Sequence, residues 1–194
     1  MALRERVYSI LIVSATDSFT SAFKDLLSET RYSPVHTVSS VSAAKRLLAD
    51  RSFDLVIINA PLPDDDGTRF AIDISTAKQT AVLLLVKGDI HADVQNKIVE
   101  YGVFTLPKPI AKPTLMHALN WMESARERLR QFEKKSQSID DKMAEIRIVN
   151  KAKWVLISHL NMNEPDAHRY IEKQAMNRCI SKKVLAEEII RTYT

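Results

Sequence analysis

The sequence predicts a doubly wound, five-stranded parallel α/β sheet followed by an all-α segment. Three observations carry that prediction. Residues 1–112 alternate short apolar runs with helical patterns. From Leu115 onward no strand signal remains. All three glycines, Gly67, Gly88 and Gly102, fall in the first segment. Average usage would give roughly thirteen glycines in a chain of this length. The shortage argues against a sandwich or barrel with many tight turns. It also argues against a Gly-rich phosphate loop, and neither G-x-G-x-x-G nor G-K-[ST] occurs.

The apolar runs are Ser9–Val13, Val35–Val38, Leu55–Ile58, Ala81–Val86 and Val103–Leu106. Each is short, continuous and rich in Val, Ile and Leu, as strands buried on both sheet faces should be. Between them lie helical segments at Ser18–Glu29, Val41–Asp50, Gly67–Thr76 and His91–Tyr101, with a further one from Thr114 onward. Val41, Ala44, Leu47 and Leu48 share one helix face. Strands alternating with helices imply right-handed crossovers, with ligands bound at the carboxyl ends of the strands.

The second segment changes period. One heptad series is Leu115, Met122, Leu129, Ser136 and Met143; the other is Ala118, Ala125, Phe132, Ile139 and Ile146. Charged residues lie between them, and no Pro or Gly interrupts the run from Thr114 to Glu164. The expected outcome is a coiled-coil homodimer whose seam holds Leu115, Met122, Leu129, Phe132, Ile139, Met143 and Ile146. The alternative is a helical hairpin within one chain, breaking near Ser136–Asp141. The long helix should continue through Ala152, Leu156 and Leu160 and stop at Asn161-Met-Asn163. Asn163 is the expected N-cap of the next helix, with Pro165 in its first turn and Asp166 at the capping-box position. That helix points Ala167, Ile171 and Ala175 inward. Ser181 caps a last helix with Leu185, Ala186, Ile189 and Ile190 inward. The expected division is 1–113, 114–146 and 147–194.

Charge and cysteine content narrow the setting. Residues 1–112 hold 13 basic and 13 acidic side chains, whereas 113–194 hold 15 and 11. The whole net charge of +4 therefore lies in the C-terminal part, which points to a polyanion partner there. The single Cys179 excludes an internal disulfide framework and a Cys-rich zinc site. No apolar run approaches the roughly 20 residues of a membrane span. Arg4 and Arg6 precede Tyr8-Ser-Ile-Leu-Ile-Val13, but a signal peptide needs a longer apolar core and a small-residue cleavage site. The expected location is cytoplasmic, with no membrane partner, cofactor or metal.

Residues 7–124 resemble the receiver domain of response regulators, the CheY/flavodoxin-like fold. The residues that carry the resemblance are Asp54-Leu-Val-Ile-Ile-Asn59, Pro61-Leu-Pro63, Asp66-Gly67 and Lys108-Pro109. The family implies a phosphoryl-accepting Asp at the end of the third strand and an acidic pair after the first strand to hold magnesium. It also implies a Ser or Thr ending the fourth strand and a Lys-Pro after the fifth. In this chain the phosphoacceptor position is Asn59, and the acidic pair is replaced by Ser14 and Ala15. The hydroxyl position falls on Val86, the aromatic switch position falls near Thr105, and only Lys108 survives. An amide cannot be the nucleophile that forms an acyl phosphate, and magnesium prefers anionic oxygens. The reading is a pseudo-receiver that is not phosphorylated at Asn59 and offers a platform for a regulatory protein partner. Lys108 is expected to bond locally to the Asn59 amide oxygen. Asp64, Asp65 and Asp66, between Pro63 and Gly67, read as a turn and helix start.

The last fifty residues resemble the ANTAR domain of bacterial antiterminators. The matching residues are Ala152-Lys153, Ala167-His168-Arg169-Tyr170-Ile171, Ala175-Met176-Asn177-Arg178, Val184, Ala186 and Ile189-Ile190. The resemblance implies binding to paired hairpins in an mRNA leader, which stops a terminator from forming. RNA loops are read by cations on phosphates and by stacking of exposed bases. The candidate RNA-binding residues are Lys151, Lys153, His168, Arg169, Lys173, Arg178, Lys182 and Lys183. Tyr170 either stacks on a base or packs on the long helix, and Trp154 is expected in the core or the dimer seam. A dimer would join two such modules and raise avidity. The competing functions are a DNA-binding response regulator and a protein-interaction adaptor using the coiled coil. A helix-turn-helix turn often holds Gly, and residues 113–194 have none. No nucleophile–base constellation suggests an enzyme.

Overall fold

The computed structural model describes residues 6–78 and 80–193. Arg4, one of the two arginines weighed for a leader, lies outside the described residues. The chain forms two compact units that divide between Gln131 and Phe132. That division falls inside the segment 114–146 expected to be a separate connecting helix. Among the described residues no helix is long and apolar enough to cross a membrane.

The first unit is built on five parallel strands in the order β2-β1-β3-β4-β5. They are β1 (Tyr8–Val13), β2 (Tyr32–Val38), β3 (Leu55–Asn59), β4 (Ala81–Lys87) and β5 (Phe104–Lys108). The helices are α1 (Asp17–Lys24), α2 (Val41–Asp50), α3 (Thr68–Lys78), α4 (His91–Ile98) and the first part of α5 (Lys112–Leu160). Side chains alternate across the sheet and fill two cores. Leu11, Val13, Val56, Ile58, Leu84 and Val86 meet α2 and α3 through Ala44, Leu48, Phe70 and Ile74. Ile10, Ile12, Leu55, Ile57, Leu83 and Leu85 meet Phe23 of α1 and Leu115, Ala118, Leu119 and Met122 of α5.

This second core corrects two expected seam residues. Leu115 and Met122 are buried under the sheet and are not available to a dimer. The first turns of α5 do bury their stripe against their own domain.

Several boundaries differ from the sequence reading for local reasons. Helix α1 stops at Lys24 rather than Glu29. The amides of Leu26 and Leu27 donate to carbonyls three residues back, tightening the chain out of the helix. Strand β2 starts at Tyr32 and carries Pro34, which an edge strand tolerates. Helix α4 ends at Ile98 and a short 3-10 turn at Val99–Tyr101 leads to Gly102, whose φ is 71°. Gly67 precedes α3 at φ 81°, and a β-carbon there would stand 3.0 Å from Ile58 Cγ2.

Beyond its apolar face, α5 is fastened by charge. Asp54 Oδ1 accepts from Arg126 Nε at 3.0 Å and Arg130 Nη2 at 2.6 Å. Asp54 Oδ2 accepts from the Ser9 amide at 3.0 Å and the Ser9 hydroxyl at 3.1 Å. Glu123, buried on the same helix, accepts from the Tyr32 hydroxyl and the Arg31 guanidinium. Burial, with Glu123 beside it, pushes the Tyr32 hydroxyl well above its ordinary pKa.

The second unit contains the remainder of α5, α6 (Glu164–Asn177) and α7 (Lys182–Tyr193). Helix α5 is unbroken through Ser136–Asp141, so the hairpin alternative is excluded. Asn163 caps α6 by accepting from the Asp166 amide at 2.8 Å, with proline in the first turn. Ser181 caps α7 by accepting from the Val184 amide at 3.2 Å. The left-handed Cys179 turns the chain between them, and the Ile180 amide reaches back to the Ala175 carbonyl. Ala152, Leu156, Ala167, Ile171, Ala175, Leu185, Ala186 and Ile189 form the core. Four of these eight are alanines, which lets the helix backbones approach closely.

Candidate functional sites

The first site lies at the carboxyl ends of β1, β3 and β5. Asn59 ends β3 and Ser14 follows β1, and both are buried. The Asn59 amide donates to Ser14 Oγ at 3.0 Å. Ser14 Oγ also accepts from the Thr16 amide at 3.1 Å and donates to the Thr16 carbonyl at 3.3 Å. Lys108 Nζ donates to Asn59 Oδ1 at 3.0 Å, as the sequence suggested, and to the Ala60 carbonyl. Burial, and then the nearby Lys87 charge, lower the Lys108 ammonium below its ordinary pKa.

The other positions add no charge. Ala15 is exposed and apolar, and Val86 is buried in β4 beside Pro107 of β5. Thr105 Oγ1 is 3.1 Å from His91 Nε2, so it joins β5 to α4. The structure thus brings together Ser14, Asn59 and Lys108 and leaves Ala15, Val86 and Thr105 out of that network. This donor set does not fit magnesium. It offers one hydroxyl and one amide oxygen, and that amide oxygen already accepts from an ammonium.

The three aspartates nearby are engaged in the backbone. Asp64 accepts from the amides of Val41 and Ser42, both at 2.9 Å, at the start of α2. Those bonds hold its carboxyl below the usual range. Asp65 accepts from the Gly67 amide at 2.7 Å and Asp66 from the Thr68 amide at 2.8 Å. They are the turn and helix start that their composition indicated.

The second site is the surface of the C-terminal unit. Four of the eight candidate residues lie against acids of that unit. Lys153 binds Glu164 at 2.7 Å, and its side chain is only 16% exposed. Arg178 binds Glu188 at 2.6 Å, Lys182 binds Glu172, and His168 Nε2 lies 3.4 Å from Glu172. The Lys153 ammonium lowers the Glu164 carboxyl, and the Lys182 ammonium lowers Glu172. Lys151, Arg169, Lys173 and Lys183 are exposed. Arg169 and Lys173 project from α6 away from Ala167, Ile171 and Ala175.

Two aromatic positions resolve differently. Tyr170 is partly exposed. Trp154 is 70% exposed, which removes the core reading for that residue. A tryptophan among apolar neighbours gave no sequence signal of exposure.

The comparisons agree with both halves. The response regulator receiver domain matches residues 10–120, and the ANTAR domain matches residues 137–190. Transcriptional regulatory protein PdtaR from Mycobacterium tuberculosis is 25% identical over 169 residues, covering 87% of this chain and 82% of that protein. The signal receiver domain of an HD domain-containing protein from Pseudomonas fluorescens is similar at 28% identity and TM-score 0.58, over 68% of this chain and 96% of that one. An adenylate cyclase structure from Rhodopirellula baltica shares the fold at 19% identity and TM-score 0.60, over 68% of this chain and 98% of that one. This chain belongs to the response regulator receiver family and carries a C-terminal ANTAR domain.

Proposed function

We propose that the chain is an RNA-binding transcription antiterminator that acts as a homodimer on tandem hairpins of an mRNA leader. The observation that carries the reading is the exposed basic surface of the ANTAR unit, where Lys151, Arg169, Lys173 and Lys183 project from a module of its own core. Those cations suit phosphates, and Tyr170 on the same unit suits base stacking. Lys153 acts first within the module, tying α5 to α6 through Glu164, while Arg178 and Lys182 tie α6 to α7 through Glu188 and Glu172, and His168 faces Glu172 within α6. The similarity to PdtaR supports a role in transcription.

The receiver is not phosphorylated at Asn59 in this reading. The amide is no nucleophile, and its oxygen is held by Lys108. The domain serves as a platform for dimerisation and for a regulatory protein, and the chain is not an enzyme.

Gel shifts with two-hairpin RNA, duplex DNA and single-stranded DNA test the reading. Only the RNA should shift, and the log–log salt slope should fall by about one on each of Arg169→Ala and Lys173→Ala. A preference for duplex DNA would favour a DNA-binding regulator. No binding to either would favour the adaptor. The intact mass after incubation with acetyl phosphate and magnesium should stay unchanged.

A further inference from the structure

The last turns of α5 carry an outward face that the core of the C-terminal unit does not use. Ala152 and Leu156 point into that core with α6 and α7. At about 100° per residue, Arg147, Lys151, Trp154 and Ser158 share a sector of about 60° on the far side. All four are exposed, and Trp154 is 70% exposed. An indole is seldom left so open to water, so its exposure marks a contact surface. Trp154 falls on neither heptad series, which takes it off the expected dimer seam.

Charge says what this face suits. Residues 146–163 contain no Asp or Glu, while Arg147, Lys151 and Lys153 all lie among them. Lys153 is taken by Glu164. Arg147 and Lys151 form no ion pair among the described residues. Like charges four residues apart on a helix repel, so an anion lying across the two relieves them. A second copy set on this face would bring four cations together without an acid. A polyanion that also carries flat rings suits all three side chains, and RNA with unpaired bases is one.

We infer that Trp154 is a stacking platform for an unpaired base of the bound RNA, with Arg147 and Lys151 on the neighbouring phosphates. The inference rests on the antiterminator reading and adds α5 to the surface that meets the RNA. Along the helix Lys151 stands about 5 Å and Arg147 about 10 Å before Trp154. The backbone of the stacked nucleotide therefore continues along α5 toward Arg147. Trp154 offers a larger and more open ring than Tyr170, which is 37% exposed.

Intrinsic fluorescence tests the stack in the full chain carrying Trp121→Phe, which leaves Trp154 as the single indole. Two-hairpin RNA should quench it saturably, with the midpoint of the gel shift. Trp154→Ala should weaken that RNA about 5- to 140-fold, the range for one stacked base. Its log–log salt slope should not change, because no phosphate contact is lost. Trp154→Phe should restore part of the affinity, and Arg147→Ala should lower the slope by about 0.7–0.9. RNA binding without quenching, or a Trp154→Ala variant that binds as the parent does, overturns the stack and leaves the antiterminator reading standing. Fluorescence that follows protein concentration and ignores RNA assigns Trp154 to a contact between copies and overturns the stack as well. A parent that shifts no RNA refutes both. An unchanged slope in Arg147→Ala removes that arginine from the phosphate contacts.

Discussion

Replacing Asp54 with Asn removes the charge that fastens α5 to the sheet while keeping the side chain's size. Asp54 receives the two guanidiniums of Arg126 and Arg130 and two bonds from Ser9. Its side chain is 13% exposed, and those of Arg126 and Arg130 are 14% and 26%. Breaking a buried pair from one side costs about 3–5 kcal/mol. The partial exposure argues for the lower end, about 3 kcal/mol. At about 2.1 cal/mol/K per residue, a unit the size of Met1–Gln131 has an unfolding entropy near 0.28 kcal/mol/K. Asp54→Asn should therefore lower the melting temperature of the receiver unit by about 11 °C, read by scanning calorimetry. The effect is pH-dependent. Burial pushes the Asp54 carboxyl up, but the Ser9 amide and the two guanidiniums outweigh it and hold it below the usual range. A depressed carboxyl contributes stability above its unfolded value of about 3.9, lost as pH falls through the folded value. The gap between parent and Asp54→Asn should be full near neutral pH and close in acid. A shift under about 3 °C at neutral pH, or a gap that does not narrow in acid, would refute this account of the network.

Three further outcomes follow from the two sites. Asn59→Asp alone should still gain no phosphate from acetyl phosphate and magnesium in intact-mass analysis, because Ser14 and Ala15 supply no carboxylate for the metal. Leu156→Ala empties a position that is 1% exposed in the core of the C-terminal unit. It should cost about 3 kcal/mol and strip hydrogen-exchange protection from α6 and α7 while the strands keep theirs. Asn163→Ala removes the α6 cap and should cost about 1 kcal/mol, seen as a lowered denaturation midpoint of that unit.

The central strands β1, β3 and β4 were legible because each carries at least four consecutive Val, Ile or Leu residues, the pattern that a sheet covered on both faces requires. The Lys108–Asn59 bond was legible because the family resemblance placed both residues at neighbouring strand ends. What escaped the sequence depends on distant partners. Nothing near Glu123 reveals its burial, since Tyr32 lies 91 residues away. Asp54 and Arg126 are 72 residues apart and look like ordinary surface charges in sequence. On the C-terminal unit the positive residues were visible, but their acids were not assigned to them. Lys153 and Glu164 meet only once the chain has turned at Asn161.

The heptad repeat shows why pattern and partner are separate questions. Spacings of three and four residues state that a helix has an apolar face, and they are silent on what covers it. Along α5 the same repeat has two different answers. Leu115 and Met122 are covered by β-strands of their own domain. Phe132, Ile139, Met143 and Ile146 continue the same two series, yet among the described residues no part of their own chain buries them. Further on, Ala152 and Leu156 depart from the series, and the buried face is the opposite one. A sheet or a short hairpin does not demand a strict repeat, whereas another helix of the same pitch does. The stretch in which the repeat outlasts its internal partners is therefore the stretch in which a second helix has to be sought.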